Sequence, residues 1–276
     1  MGQDRLIKHQ LIIVRHGQSE WNKVNKFCGW IDVLLTKKGE EEARNAGRLI
    51  NKAKLKPDLL ITSKLSRSCL TGSIICKEIN RLYIDVYRTW RLNERHYGKF
   101  QGEDKTKILQ QVGEKKYLYY RRNINGCPPL VEKEEFEKSV DDRYKYKEDF
   151  KLTEEKEEFE AKEREGILEL PRGESLKMVI ERVKPFYEKI VLKEMKIGKT
   201  VLIVCHGSTV RSLIKIISED QVSDEDIEKI NIPNGIPLVY EFDKDLNRVG
   251  DYYYLDPEKA IKRAKEVERQ GFENKK

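Results

Sequence analysis

Two histidines stand where chemistry would concentrate. Arg15-His16-Gly17 follows directly on the apolar run Leu11-Ile12-Ile13-Val14, and His206-Gly207-Ser208 follows directly on Thr200-Val201-Leu202-Ile203-Val204-Cys205. Arg67 comes shortly after a third apolar run, Leu59-Leu60-Ile61. Glu94 lies in the dense polar run Arg91-Leu92-Asn93-Glu94-Arg95-His96-Tyr97-Gly98. Two His and two Arg, with no metal-ligand spacing among them, point to phosphoryl transfer through a phosphohistidine. An imidazole nitrogen is nucleophilic near neutrality because its unperturbed pKa is ~6.5. A phosphate dianion repels most nucleophiles, and clustered guanidinium groups neutralise it as charge spreads over its oxygens. Arg15 can also fork two hydrogen bonds onto those oxygens. The leaving alkoxide then needs a proton, and Glu94 is the candidate acid. Any one of these residues alone reads as plainly as a surface Arg or a hydrogen-bonded His. It is their joint position at strand ends that argues for a site.

The elements that would position them alternate between strand and helix. Leu11–Val14 reads as a strand buried on both faces. Thr36 caps a helix in which Ala43, Ala46, Leu49, Ile50 and Ala53 share a face, ended by Pro57-Asp58. Leu59–Ile61 is a strand, Ser66–Ile79 a helix and Ile84–Tyr87 a third strand. Ser175 opens a long helix to about Lys196. Val201–Cys205 is the clearest buried strand, with a helix from about Thr209. Leu238–Phe242 and Gly250–Leu255 are two more strands, and Asp256–Gln270 is a terminal helix. This order predicts an α/β fold with a mainly parallel central sheet and helices on both faces. Ligands then bind beyond the carboxyl ends of the strands, where both His-Gly pairs fall. A glycine after each histidine would let a backbone approach a ligand closely, and the helix N-terminus beyond suits a phosphate.

Composition narrows the class. The 276 residues carry 55 Lys+Arg against 48 Asp+Glu, a net charge of +7, with the signs mixed along most of the chain. That is a solvated globular surface, not a nucleic-acid arm. No apolar run approaches the ~20 residues of a membrane helix, and no signal peptide or myristoylation signal is read at the start. A cytoplasmic protein with no membrane partner is expected. Cys28, Cys69, Cys76, Cys127 and Cys205 are odd in number and widely spaced, so no disulfide framework or zinc site is expected. His9, His16, His96 and His206 form no HxH or HExxH pair, so no metal is expected either. Residues 132–169 are rich in Glu and Lys and read as a solvated loop or exposed helix. The rest reads as a single domain over 1–276, with that insertion and a basic tail from about 256.

The run Arg15-His16-Gly17-Gln18-Ser19-Glu20-Trp21-Asn22 resembles the signature of the histidine phosphatase superfamily. More narrowly, the chain resembles the cofactor-dependent phosphoglycerate mutases. Phe27-Cys28-Gly29-Trp30, Leu92–Gly98, Arg121-Arg122 with Pro128-Pro129 after it, Gly173-Glu174-Ser175-Leu176, His206-Gly207 and Ile232–Glu241 follow in the same order. The resemblance covers nearly the whole chain outside about 132–169. It implies that His16 is the phosphorylated nucleophile and Glu94 the general acid and base. Arg15, Arg67 and His206 would hold the transferring phosphoryl group, assisted by Gly207 and Asn22. Tyr97, Lys105, Arg121 and Arg122 would grip the other end of the substrate. A plain phosphatase needs only the phosphate pocket, so these further cations make sense if the non-reacting end is also held.

Departures from the family pattern stand at two site positions. Cys28 replaces the usual Ser or Thr, and a thiol is the weaker donor, so the backbone N–H groups of Cys28 and Gly29 would serve the substrate. The sister bisphosphoglycerate mutases also carry Cys here but tend to follow it with Ser, so Gly29 leans toward the glycolytic enzymes. Ser208 replaces Asn after His206-Gly207, keeping a donor with shorter reach. Lys259, Lys262, Arg263 and Lys265 would attract an anionic substrate. The resemblance thus implies a mutase of glycolysis and gluconeogenesis that interconverts 3-phosphoglycerate and 2-phosphoglycerate. 2,3-Bisphosphoglycerate would be its primer, with minor bisphosphoglycerate mutase and phosphatase activities, and the protein would be a homodimer or a dimer of dimers. Its partners would be small phosphoglycerates, not nucleic acid. A phosphatase or bisphosphoglycerate synthase using the same histidine is one rival reading; an anion-binding scaffold without turnover is another.

Overall fold

The computed structural model describes residues 7–144, 170–218 and 221–272. Its frame is a six-stranded sheet in the order β3-β2-β4-β1-β5-β6. The strands are β1 (His9–Arg15), β2 (Leu59–Thr62), β3 (Asp85–Arg88), β4 (Val201–Cys205), β5 (Leu238–Phe242) and β6 (Tyr253–Tyr254). Pairings β1–β4, β2–β4 and β2–β3 are parallel, and β1–β5 and β5–β6 are antiparallel. The mainly parallel expectation therefore holds, with an antiparallel margin at one edge.

The helices are α1 (Glu20–Lys23), α2 (Lys37–Lys52), α3 (Ser66–Glu78), α4 (Lys105–Val112), α5 (Glu114–Arg122), α6 (Lys133–Ser139) and α7 (Leu176–Phe186). A π-helical turn (Tyr187–Val191) carries α7 into α8 (Leu192–Lys196); α9 (Gly207–Ser218), α10 (Asp224–Lys229) and α11 (Pro257–Arg269) follow. Successive residues of a strand face opposite sides, and the core divides accordingly. Leu11, Ile13, Leu59, Ile61, Val201 and Ile203 pack with Val179 and Val183 of α7 and Leu213 of α9. Ile12, Val14, Leu60, Leu202 and Val204 pack with Ala46 and Ile50 of α2 and Ile75 of α3. Each such Val, Leu or Ile side chain stabilises the fold by ~1.5–3 kcal/mol on burial. Burial on both faces is why Leu11–Val14 of β1 and the whole of β4 are unbroken apolar runs.

Several boundaries differ from expectation for local reasons. Helix α2 stops at Lys52, because Lys54 adopts a left-handed φ of 58° before Pro57 is reached. Ala53 is accordingly exposed, and Leu49 only half-buried. Strand β3 lies one residue later than expected and is exposed throughout, as befits the end of the sheet. Helix α9 starts at Gly207 directly beyond His206, not at Thr209. The expected strand Gly250–Leu255 shrinks to Tyr253–Tyr254. The long helix after Ser175 contains Pro185, and its π-helical turn follows at once; proline removes a hydrogen bond from the helix ladder.

Of the charged segment 132–169, residues 145–169 lie outside the described residues. The described part includes the short α6, which buries no residue, and a turn, Asp142–Tyr144. No described helix is long and apolar enough to cross a membrane.

Candidate active site

The register of the two central strands brings the histidines together. Arg15 pairs with Cys205 at the carboxyl ends of β1 and β4, and the His16 amide donates to the Cys205 carbonyl at 2.9 Å. The next residue on each strand is a histidine, so the two rings lie with centroids 4.9 Å apart. Neither the sequence gap between them nor the long connection matters once the strands pair in parallel.

His16 is held in one tautomer. Its Nδ1 lies 2.6 Å from the Gly17 carbonyl. A carbonyl can only accept, so Nδ1 carries the proton and Nε2 keeps its lone pair. Burial, then Arg67 and Arg15, hold its pKa well below the usual histidine range. The ring is neutral at pH 7. His206 is held low by burial, Arg67 and His16. Its Nε2 lies 2.8 Å from Ser63 Oγ, and its Nδ1 has no partner among the described residues.

The guanidinium groups are anchored from behind by main-chain carbonyls. Arg15 Nη1 donates to Ile232 O at 2.6 Å. Arg67 donates to Gly29 O at 2.7 Å and Ile31 O at 2.9 Å. Both Nε atoms remain buried without a partner among the described residues. Glu94 Oε1 accepts from the Arg95 amide at 2.8 Å and the Ser208 amide at 3.2 Å, which points the carboxyl at the cluster. The backbone around Glu94 is held by Arg182 of α7, which donates to Asn93 O and Glu94 O, and by the buried Arg182–Glu174 pair at 2.6 Å.

His16, Arg15, Arg67 and Glu94 border an open cleft. Its lining holds Arg15, Lys26, Arg67, Lys105, Arg121, Arg122 and Arg211, with Glu94 as the carboxylate among them. At the far end, burial and Arg121 push Lys105 down to about 7. Arg122 is lowered by burial, Arg121 and Arg211. Phe27, Phe100, Ile108 and Tyr117 form the small core that supports α4 and α5 beneath these cations. The C-terminal end of α11 reaches the same place. Val267 O and Gln270 O accept from Arg121, and Gln270 Oε1 accepts from Lys105 at 3.0 Å.

Of the residues singled out from the sequence, His16, Glu94, Arg15, Arg67, Asn22, Cys28, Gly29, Tyr97, Lys105, Arg121, Arg122, Gly207 and Ser208 line the cleft. His206 is fully buried beside His16 and is not part of the lining. Two local expectations change. A Cβ on Gly17 would lie 2.1 Å from Gly39 O, so its bareness admits the first turn of α2, not a ligand. Arg263 is occupied by Asn234 O at 2.7 Å and Glu42 at 3.4 Å, so it is a structural contact. The thiol of Cys28 lies 3.8 Å from both Ser19 Oγ and Asn22 Nδ2, and Ser208 Oγ accepts from Arg211 at 3.3 Å. Arg211 and Lys26 were not singled out from the sequence. Arg211 could have been found by its place on α9, facing the same end of the sheet as His206; nothing in the sequence around Lys26 marks it.

A family model described as histidine phosphatase superfamily, branch 1, matches residues 11–146 and 143–253. The chain is 44% identical over 263 residues to phosphoglycerate mutase 1 of Saccharomyces cerevisiae, spanning 95% of this chain and 98% of that one. It is 40% identical over 267 residues to the 2,3-bisphosphoglycerate-dependent phosphoglycerate mutase of Bifidobacterium longum, with the same coverage. Among solved structures, a phosphoglycerate mutase from Bacillus anthracis superposes with a TM-score of 0.61 at 21% identity, covering 93% of this chain and 96% of that one. A mycobacterial glucosyl-3-phosphoglycerate phosphatase in complex with VO3 superposes with a TM-score of 0.63 at 18% identity, covering 89% and 97%. At those identities the superpositions show the fold alone.

Proposed function

Because the chain belongs to the phosphoglycerate mutases of the histidine phosphatase superfamily, we propose a specific part for each residue of its cleft in that reaction. The protein is an isomerase that interconverts 3-phosphoglycerate and 2-phosphoglycerate through a phosphohistidine, in glycolysis and gluconeogenesis. The observation that carries the residue roles is a neutral His16 beside buried nitrogens that no group among the described residues satisfies: Arg15 Nε, Arg67 Nε and His206 Nδ1. A buried donor left unpaired costs about 1–3 kcal/mol. A phosphoryl group seated there would satisfy several at once.

In this reading 2,3-bisphosphoglycerate primes the enzyme. His16 Nε2 attacks phosphorus, the P–O bond to the glycerate breaks, and Glu94 protonates the departing oxygen. The reverse transfer runs from phospho-His16. Glu94 takes the proton from a glycerate hydroxyl as that oxygen attacks phosphorus and the P–N bond breaks. Reorientation of the bisphosphate between the two transfers exchanges the 2- and 3-positions. Arg15, Arg67, His206 and the Gly207 amide meet the charge that spreads over the transferring oxygens, with Asn22 beside them. Tyr97, Lys105, Arg121 and Arg122 hold the carboxylate and second phosphate, with the Cys28–Gly29 backbone and Ser208 along the wall. The charge on phosphorus is met by side chains, with no metal in the scheme. Water entering in place of the glycerate gives a minor phosphatase activity, and transfer from a different donor a minor bisphosphoglycerate mutase activity. We place the protein in the cytoplasm, acting as one domain per chain and as a homodimer or dimer of dimers.

The test is mass spectrometry after brief incubation with 2,3-bisphosphoglycerate and an alkaline quench. One phosphate is expected on the peptide carrying Arg15-His16-Gly17, and none in His16→Gln. The parent should also convert 3-phosphoglycerate to 2-phosphoglycerate faster with primer than without. An unphosphorylated His16, or inorganic phosphate released without 2-phosphoglycerate, sinks the assignment.

A further inference from the structure

The charged stretch that begins at residue 132 has no task in the reaction so far, yet its described end does not stand away in solvent. Arg143 Nη1 donates to Asp32 Oδ2 at 2.7 Å and to Lys64 O at 3.0 Å. Lys64 Nζ donates back to Arg143 O at 3.3 Å. Asp32 in turn accepts from the Ser66 amide at 2.7 Å and the Ser66 hydroxyl at 2.6 Å, at the start of α3 and next to Arg67. The neighbouring Tyr144 accepts from Asn93 Nδ2 at 2.7 Å. Its ring lies 5.1 Å from that of Trp30, whose indole donates to Glu94 O at 2.6 Å. Asn93 Oδ1 accepts from the Lys64 amide at 3.1 Å, which ties the two sets together.

Two adjacent residues thus touch the loops that carry Gly29 and Glu94 and the loop that leads into α3, where Arg67 stands. None of these loops is held by a strand ladder at that point. The Arg143–Asp32 pair has side-chain exposures of 27% and 20%, so solvent screens it and it counts for little as a stabilising ion pair. Its value lies in geometry. An acid displaced by about 1 Å from its substrate oxygen loses much of its effect on rate.

We propose that Arg143 and Tyr144 form a clamp that positions Glu94 and Arg67 for phosphoryl transfer. They are positioning residues, and the clamp rests on the phosphohistidine reading above. The front of the charged insertion is then part of the reaction machinery of this chain, although no atom of it lines the cleft.

The experiment compares the full-length parent with Arg143→Gln, Arg143→Lys and Tyr144→Phe. Active sites are counted by label taken up from 2,3-bisphosphoglycerate phosphorylated with 32P, so that misfolded molecules drop out. Arg143→Gln and Tyr144→Phe should each lower kcat at least threefold per labelled site. KM for 3-phosphoglycerate should stay within twofold. Arg143→Lys, which keeps the charge toward Asp32, should recover at least half of the parent kcat. The clamp is overturned by a smaller kcat loss in either variant, by a rise in KM as large as the fall in kcat, or by Arg143→Lys behaving like Arg143→Gln. A parent that takes up no label overturns the reading of the reaction and the clamp with it. A labelled parent beside a normal Arg143→Gln overturns the clamp alone.

Discussion

Arg211 has one nitrogen bonded to Ser208 Oγ and another, Nη1, buried with no partner among the described residues. It borders the cleft near Arg122, whose pKa it helps to lower. A guanidinium in that position is poised for the non-reacting end of a doubly charged substrate. Arg211→Met should raise KM for 3-phosphoglycerate at least tenfold. The loss on p-nitrophenyl phosphate, which has no second anion, should be several-fold smaller. Equal losses on both substrates would remove Arg211 from the far end of the site. Lys105 makes a prediction in pH. Its pKa is pushed down to about 7, so near pH 8 the ligand-free side chain is mostly neutral. A bound anion favours the ammonium form, and binding should therefore take up a proton. Calorimetry at pH 8 in two buffers of different ionisation enthalpy reads that uptake, and Lys105→Met should reduce it. Release of protons, or an unchanged uptake in the variant, would contradict this. That His16, His206, Arg15, Arg67 and Glu94 would come together was readable from sequence, because His, Arg and Glu at strand ends have few other common reasons to cluster. Which atoms stay unpaired was not readable, since that depends on carbonyls from distant loops such as Ile31 and Ile232.

Among the elements, the loop from Arg91 to His96 depends on α7. Arg182 reaches from that helix to the Asn93 and Glu94 carbonyls, and Glu174 just before it accepts from the His96 amide at 2.8 Å. The pair is buried, with side-chain exposures of 6% and 2%. Removing one partner of such a pair leaves a charge uncompensated and costs about 3–5 kcal/mol. Glu174→Gln should lower the free energy of urea unfolding by that order and cut kcat. A loss below ~1 kcal/mol would show that the pair does not hold the loop. Helix α3 teaches a related lesson. Its N-terminus has no side-chain cap from Leu65; Asp32 supplies one from a different loop. Apolar periodicity located α2, since a buried face leaves its mark every three or four residues. The caps and anchors left no such mark because they come from remote parts of the chain.

Over the molecule as a whole, buried neutral histidines set the response to acid. His16 and His206 are held well below the usual range, and burial with Arg182 pushes His96 down to about 3. The unfolded chain binds protons at these rings as pH falls through ~6.5, while the folded one does not. Stability present above that pH is therefore lost below it, by up to ~1.4 kcal/mol per pH unit for each such ring. The urea midpoint should fall between pH 7 and pH 5, and less so in His96→Asn if that fold persists. A flat profile would mean the rings titrate normally. The homodimer proposed above would form through the outer edge of the sheet. Strand β3 ends the sheet, and Leu82, Tyr83, Val86 and Tyr87 are exposed on and before it. Sedimentation should give at least twice the 32.6 kDa chain mass, and Val86→Lys with Tyr83→Asp should shift it toward the monomer. A parent that sediments as a monomer would refute the dimer.

From its residues alone this protein could be read as an α/β chain with a charged phosphohistidine centre. Strand apolarity, helix periodicity and the run of cations are local properties, written into neighbouring positions. Only the tertiary structure decided that Arg15 lies opposite Cys205, that Gly17 is bare for the sake of α2, that Asp32 caps α3 and that Arg143 and Tyr144 reach back to the reacting loops. Those are contacts between segments far apart in the chain. Strand pairing and packing choose them, and no spacing along the sequence records the choice.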